Sequence, residues 1–149
     1  MGTHHNKQLG TAAECVVTAE LIKRNWFVST PEGDYAPYDR IITKGRFTHK
    51  VQIKSATKFN HPSGNEKAYK WTIRGGHSKK TIHDRCDIDV YIFVGMPTNE
   101  FLIIPYDAIY GMKTISVNTS NIDDAKWGIY LGAWGLLENK GFRDTIQDH

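Results

Sequence analysis

The segment YDRIITKGRFTHKVQIKS, Tyr38–Ser55, decides the fold. It reads as two β-strands joined by a tight turn at Lys44-Gly45-Arg46. Side chains alternate between the two faces of a strand, so Val51 and Ile53 point one way and Gln52 and Lys54 the other. Two polar groups on the inner part of a strand whose other face is apolar cost desolvation unless they have a partner or a task. Asp39 opens the preceding strand, where a paired ladder can bring it beside Gln52 and Lys54. An acid, an amide oxygen and a lysine converging on one spot form a place to hold a divalent metal and a phosphate.

This pattern resembles the PD-(D/E)XK nucleases, whose signature is an acid at the start of one strand and acid-x-lysine in the next. Here it is Asp39 followed by Gln52-Ile53-Lys54, with glutamine where the family usually carries Asp or Glu, a replacement found in some members. The Pro-Asp dipeptide is interrupted, because Tyr38 separates Pro37 from Asp39. The expected order of elements is helix, three strands, arm, short helix, two strands, helix. That order resembles the nuclease core of Holliday-junction resolvases, type II restriction enzymes and some intron-encoded homing endonucleases. The resemblance spans residues 9–105. It implies an α/β chain with a restriction-endonuclease-like core: a mixed central sheet flanked by helices, with a basic hairpin arm over about residues 56–80.

Bulk properties agree with one domain. At 149 residues the chain can bury a core without staples. No apolar run has the length of a membrane span, and no apolar signal segment opens the sequence, so no membrane partner is expected. Cys15 and Cys86 form no C-x-x-C pair, so neither a disulfide scaffold nor a zinc knuckle is expected. A reducing, cytoplasmic compartment follows from that cysteine usage.

The net charge of +3 hides an asymmetry. Residues 40–85 carry twelve Lys and Arg against two acids, and the remainder seven against fourteen. Such a division suggests a polyanion-binding surface on one side of the molecule. A merely well-solvated lysine surface is the plainer alternative.

A helix is expected from about Leu9 to Asn25, after a frayed lead-in from Met1 to Lys7. Winding it at roughly 100° per residue puts Val17, Thr18, Leu21 and Ile22 on one side, with Lys23 nearly opposite. Glu14 falls inside the apolar arc, where a carboxylate needs a metal, a lysine or backbone donors. The alternative is that Glu14 lies near the helix start and complements the dipole. The run Gly10-Thr11-Ala12-Ala13-Glu14 looks like the family's first helix, which implies a helical glutamate completing the metal site. Trp26–Thr30 reads as a short strand, and Asp34, in the turn after it, as a residue bonding its own backbone.

Beyond Ser55 a polar stretch leads to a strand at Trp71–Arg74. A hairpin arm carrying Lys58, Lys67, Lys70, Arg74, Lys79 and Lys80 is the simplest picture, since a two-stranded ribbon fits a DNA major groove. Phe59, Tyr69 and Trp71 argue against the alternative of a disordered loop. Lys50, His77 and Arg85 join the candidate phosphate contacts. His77, His83 and Cys86, without a fourth ligand, make a poor zinc site, and a short helix is expected over Ser78–Arg85. Val90–Val94 reads as a strand buried on both faces, and Phe101–Ile104 as its neighbour, ended by Pro105. Asp87 and Asp89 read as turn and strand-edge residues, neither with a lysine at the right spacing. A last short strand is expected over Lys113–Val117. Asn121 can cap a closing helix to about Asn139, with Trp127, Tyr130, Leu131, Trp134 and Leu137 on its buried side. Gly128, Gly132 and Gly135 on an adjacent strip suggest close backbone contact, and YLGAWGLL (Tyr130–Leu137) looks like the closing helix of intron-associated members.

The resemblance implies a metal-dependent DNA endonuclease, most simply a homing-type enzyme making site-specific double-strand cuts. Mg²⁺, with Mn²⁺ as a substitute, would be held by Glu14, Asp39, the Gln52 amide oxygen and the Ile53 carbonyl, all hard oxygen donors. Lys54 would stabilise charge on the scissile phosphate. Gln52 removes one negative charge from the cage, so metal binding weaker than in an all-acid site is expected. A Holliday-junction resolvase and a DNA-binding module that has lost its chemistry are the alternatives. The expected partner is double-stranded DNA, and cutting both strands with one small site per chain implies a homo-oligomer, a dimer or tetramer.

Overall fold

The computed structural model describes residues 3–33, 35–57, 59–60, 67–73, 87–96, 99–118 and 126–139. Helix α1 (Thr3–Lys23) is followed by β1 (Phe27–Ser29), β2 (Arg40–Lys44), β3 (Phe47–Thr57), β4 (Phe59–Asn60), β5 (Lys67–Thr72), β6 (Val90–Met96), β7 (Glu100–Pro105) and β8 (Thr114–Asn118). The larger sheet has the order β1-β2-β3-β6-β7, and a three-stranded sheet has the order β4-β5-β8. Among the described strands only β3 and β6 run parallel, which makes the central sheet mixed. This is the expected α/β, restriction-endonuclease-like architecture, except that among the described residues α1 covers one face of the sheet and the small sheet, rather than a helix, covers the other.

The hairpin forms as its alternation requires. Arg40 pairs with Val51 and Lys44 with Phe47, and Gly45 takes the turn at φ 59°. His49, Val51 and Ile53 are buried, whereas Lys50, Gln52 and Lys54 on the other face are half-buried. The apolar face meets α1 through Ala13, Val17 and Leu21, forming one core with Ile42, Val90, Ile92 and Val94. Tyr91, Phe93, Leu102 and Ile104 point the other way and pack on Tyr69, Trp71, Ile115 and Val117 of the small sheet. Val90–Met96 is buried along its whole length, as a strand covered on both faces must be.

The arm is therefore anchored. β4 and β5 form the expected hairpin, but β5 also pairs with β8, and its aromatics are core residues. Trp71 Nε1–H donates to Val94 O (3.1 Å) and Tyr69 O–H to Glu100 Oε1 (2.8 Å). Gly95 makes room for the Tyr69 ring, with which any Cβ at that position would collide.

Three expectations need correction. First, α1 begins at Thr3, so the lead-in is helical, and it ends at Lys23 rather than Asn25. The stop is a Schellman motif: Asn25 takes φ 73°, Asn25 N–H donates to Ile22 O (3.0 Å) and Trp26 N–H to Leu21 O (3.0 Å). Second, Ile22 is 56 % exposed, because the buried stripe is the narrower Ala13-Val17-Leu21 line. Third, residues 128–138 form two 3₁₀ turns, Gly128–Tyr130 and Trp134–Glu138, rather than a closing helix. Gly132 breaks the helical path at φ 61°, and its N–H donates to Phe101 O (2.8 Å) beside a bridge between Leu131 and Leu102. The glycine does give close contact with the sheet. Trp127, Trp134 and Leu137 are buried as expected, whereas Tyr130 and Leu131 are only half-buried, and His49 Nε2–H reaches Leu137 O at 2.7 Å.

Among the described residues no helix is long and apolar enough to cross a membrane. Asp34, Lys58, Arg74, residues 77–85 with the expected short helix, and Asn121 lie outside the described residues.

Candidate active site

Asp39 stands one residue before β2. Its N–H donates to Val51 O (2.8 Å), carrying the β2–β3 ladder one step past Arg40. Its Oδ2 then accepts the Ile53 N–H at 2.8 Å, so a side chain supplies the acceptor that the ended strand no longer can. This bond fixes the carboxylate one residue before Lys54. The Lys54 charge reaches Asp39 and stabilises its ionised form.

Glu14 comes from the other direction. Because α1 starts at Thr3, Glu14 lies mid-helix, so the dipole alternative fails. Its Oε1 accepts Arg40 Nη1 at 3.2 Å. Arg40 also donates through Nε to Thr18 Oγ1 (3.1 Å) and through Nη1 to Asp39 O (2.7 Å). Glu14, Tyr38, Asp39 and Arg40, with Thr30, Pro31 and Gly33 of the intervening loop, line a cleft of about 290 Å³.

The electrostatics of the pair are unfavourable. Burial raises the Glu14 carboxyl above its ordinary value, the Asp39 charge adds to the rise, and Arg40 opposes it. Burial likewise raises Asp39, against the Ile53 amide, Lys54 and Arg40. Two desolvated carboxylates, one of them raised further by the other's charge, are short of positive charge, a shortage that a divalent cation would meet. The candidate donors are all oxygens, as a hard cation prefers. Among the described residues no group of three or more His, Cys, Asp and Glu could hold a metal ion. Any cation here would therefore need the Gln52 amide and a main-chain oxygen such as that of Ile53 beside the two acids. The two acids share the cleft, whose described lining does not include Gln52 or Ile53.

Glu14 and Asp39 thus meet in one cleft, and Lys54 is electrostatically joined to Asp39. Gln52 shares the Lys54 face of β3, turned away from α1, and is half-buried. Lys50, on the same face, has its ammonium 5.9 Å from the Tyr38 ring centroid. Lys70 is exposed on β5, and Lys67 begins that strand. The other candidate DNA contacts, Lys58, Arg74, His77, Lys79, Lys80 and Arg85, lie outside the described residues.

Arg40 is the residue that sequence reasoning missed, having counted it only within the basic surplus. A signal existed: Arg40 pairs with Val51 and shares its face, so a cation is directed at the same helix that directs Glu14 at the sheet. Each charge in the apolar layer is the other's explanation.

A family model for PD-(D/E)XK endonucleases matches residues 4–129. Among solved structures, a bacterial homing endonuclease, I-Ssp6803I, superposes with a TM-score of 0.73 over 93 % of this chain and 97 % of that one. The two sequences are 19 % identical, so the likeness speaks to fold alone. A comparison with curated proteins gave no match.

Proposed function

The chain belongs to the PD-(D/E)XK endonuclease family, and on that premise we propose that it is a divalent-metal-dependent DNA endonuclease of the homing type, making site-specific double-strand cuts. The observation that carries this reading is the Asp39 carboxylate, locked by the Ile53 amide next to Lys54 and coupled to Glu14 across the cleft. Asp39, Glu14, the Gln52 amide oxygen and the Ile53 carbonyl would hold Mg²⁺, or Mn²⁺ in its place. A bound cation of this kind polarises a phosphoryl oxygen and acidifies an attacking water. Lys54 donates to the scissile phosphate and stabilises the charge that grows on it. Arg40 positions Glu14 and keeps it from turning back into solvent. Phosphodiester hydrolysis needs all of this, because enzymes lower such barriers by roughly 8–23 kcal/mol.

The homing type is supported by the fold likeness and by the basic half of the chain, which suits a duplex backbone. Both strands are cut by two sites, so the working unit is a homo-oligomer, to be checked by light scattering. Incubation with plasmid and Mg²⁺, followed by mapping of cleaved ends on a randomised DNA pool, tests the proposal. Cuts at one recurrent sequence that vanish with EDTA and in Lys54→Ala are expected. Cutting by Lys54→Ala at the normal rate would overturn the site. One observation favours a second reading: Gln52 in place of an acid suits a module that binds duplex DNA without cutting it, and the same assay then gives binding with intact plasmid.

A further inference from the structure

We infer that a second cleft, beside Ser55, Thr57, Lys70 and Thr72, binds another phosphate of the same DNA backbone, next along from the one to be cut. The inference rests on the endonuclease reading above and assigns that site a further contact. It begins from a length mismatch. The β2 ladder stops at Arg40 opposite Val51, Asp39 carries it to Ile53, and β3 runs on to Thr57. Beside this overhang lies a cleft of about 320 Å³, lined by Ser55, Ala56 and Thr57 of β3, Lys70 and Thr72 of β5, and Leu9 and Met96.

The two clefts succeed one another. Helix α1 runs antiparallel to β3, since Thr18 bonds Arg40 at the level of Val51 while Leu9 reaches the cleft at Ser55–Thr57. Glu14 lies in the first cleft and Leu9 in the second, about 7.5 Å apart along the helix axis. Ile53 and Ser55 are about 7 Å apart along the strand. Along both the helix and the strand the second cleft thus follows the first at about 7 Å.

The lining has the chemistry for a phosphodiester. Lys70 contributes a point charge, and Ser55, Thr57 and Thr72 contribute hydroxyl donors. None of the described lining residues is acidic. Leu9, Ala56 and Met96 offer apolar surface to deoxyribose carbons. Contacts of this kind read no base, but they hold the register of the backbone. The cleft would thus fix which bond of the bound strand stands at the metal site.

The test is fluorescence anisotropy of the full chain with a labelled mixed-sequence duplex in EDTA, over a series of salt concentrations. Lys70→Ala should weaken binding and lower the slope of log K against log salt by about 0.9. Thr72→Val should weaken binding by roughly 3- to 10-fold with the slope unchanged. Lys23→Ala, some 20 Å along α1 from Leu9, should match wild type in both. Lys70 and Thr72 are exposed, so neither variant endangers folding. Wild-type slope in Lys70→Ala and wild-type affinity in Thr72→Val, in a protein that still binds and cuts, would overturn the subsite and leave the nuclease standing. A wild type that neither binds nor cuts would overturn both.

Discussion

Asp39 and Asp89 stand in matching positions on the two flanks of β3. Each immediately precedes a strand, β2 or β6, and each donates its N–H to a β3 carbonyl, Asp39 to Val51 and Asp89 to Lys50. Each Oδ2 accepts a β3 amide at 2.8 Å, from Ile53 and from Lys50 respectively. Their backbone service is the same, and their company differs. Asp39 faces a second acid on α1 and the charges of Lys54 and Arg40. Asp89 ties β6 to β3 and takes the Tyr106 N–H on its own carbonyl, closing the end of β7. The same backbone arrangement thus occurs on both flanks of β3, and of the two aspartates it is Asp39 that shares a cleft with Glu14.

The largest effect should separate the two flanks. Asp39→Asn and Lys54→Ala are expected to lower single-turnover cleavage of plasmid by roughly 10²–10³-fold or more. Asp89→Asn should keep its rate per folded molecule. Equal losses in Asp39→Asn and Asp89→Asn would erase the distinction. Next in size, Arg40→Met strips Glu14 of its guanidinium and should cost about 2–3 kcal/mol. At about 2–4 °C per kcal/mol for a chain of this size, melting should fall by some 4–12 °C.

On the β6 flank, Gly95→Ala drives a methyl into the Tyr69 ring and should cost about 1–3 kcal/mol, read by denaturant titration. Cleavage by the folded fraction should persist, because the damage lies between the sheets. The smallest effect concerns pH. Glu14 and Asp39 both have folded-state pKa values raised above their unfolded ones. Between the two values the native state holds more protons, so stability falls as pH rises through that window and stays lowered above it. Asp39→Asn keeps an acceptor for the Ile53 amide and deletes the charge. Its melting temperature at neutral pH should therefore exceed that of wild type by a few degrees, with a flatter pH dependence. A lower value would mean that the carboxylate is not under electrostatic pressure.

Much of this was legible from the chain, for definite reasons. Alternation in Lys50–Ser55 and the unbroken apolar run Val90–Val94 each admit one strand setting, and both strands lie where the pattern puts them. Asp39 was legible because a strand began beside it. Arg40 was not, because its partner Glu14 is distant in sequence and becomes a neighbour only when α1 crosses the sheet. The closing segment misled through spacing: Trp127, Tyr130, Trp134 and Leu137 recur every three or four residues, and 3₁₀ turns interrupted by a left-handed glycine satisfy that period as well as a helix does. The helix start was hidden in Thr3–Lys7, a polar stretch with no apolar periodicity to announce it.

The bridge from Leu131 to Leu102 and the Gly132 amide on Phe101 seal part of the β7 margin of the central sheet against pairing by another chain. Among the described residues the opposite margin is β1, a strand of three residues. At these two margins of the central sheet, a second copy would find only short stretches of backbone to pair with.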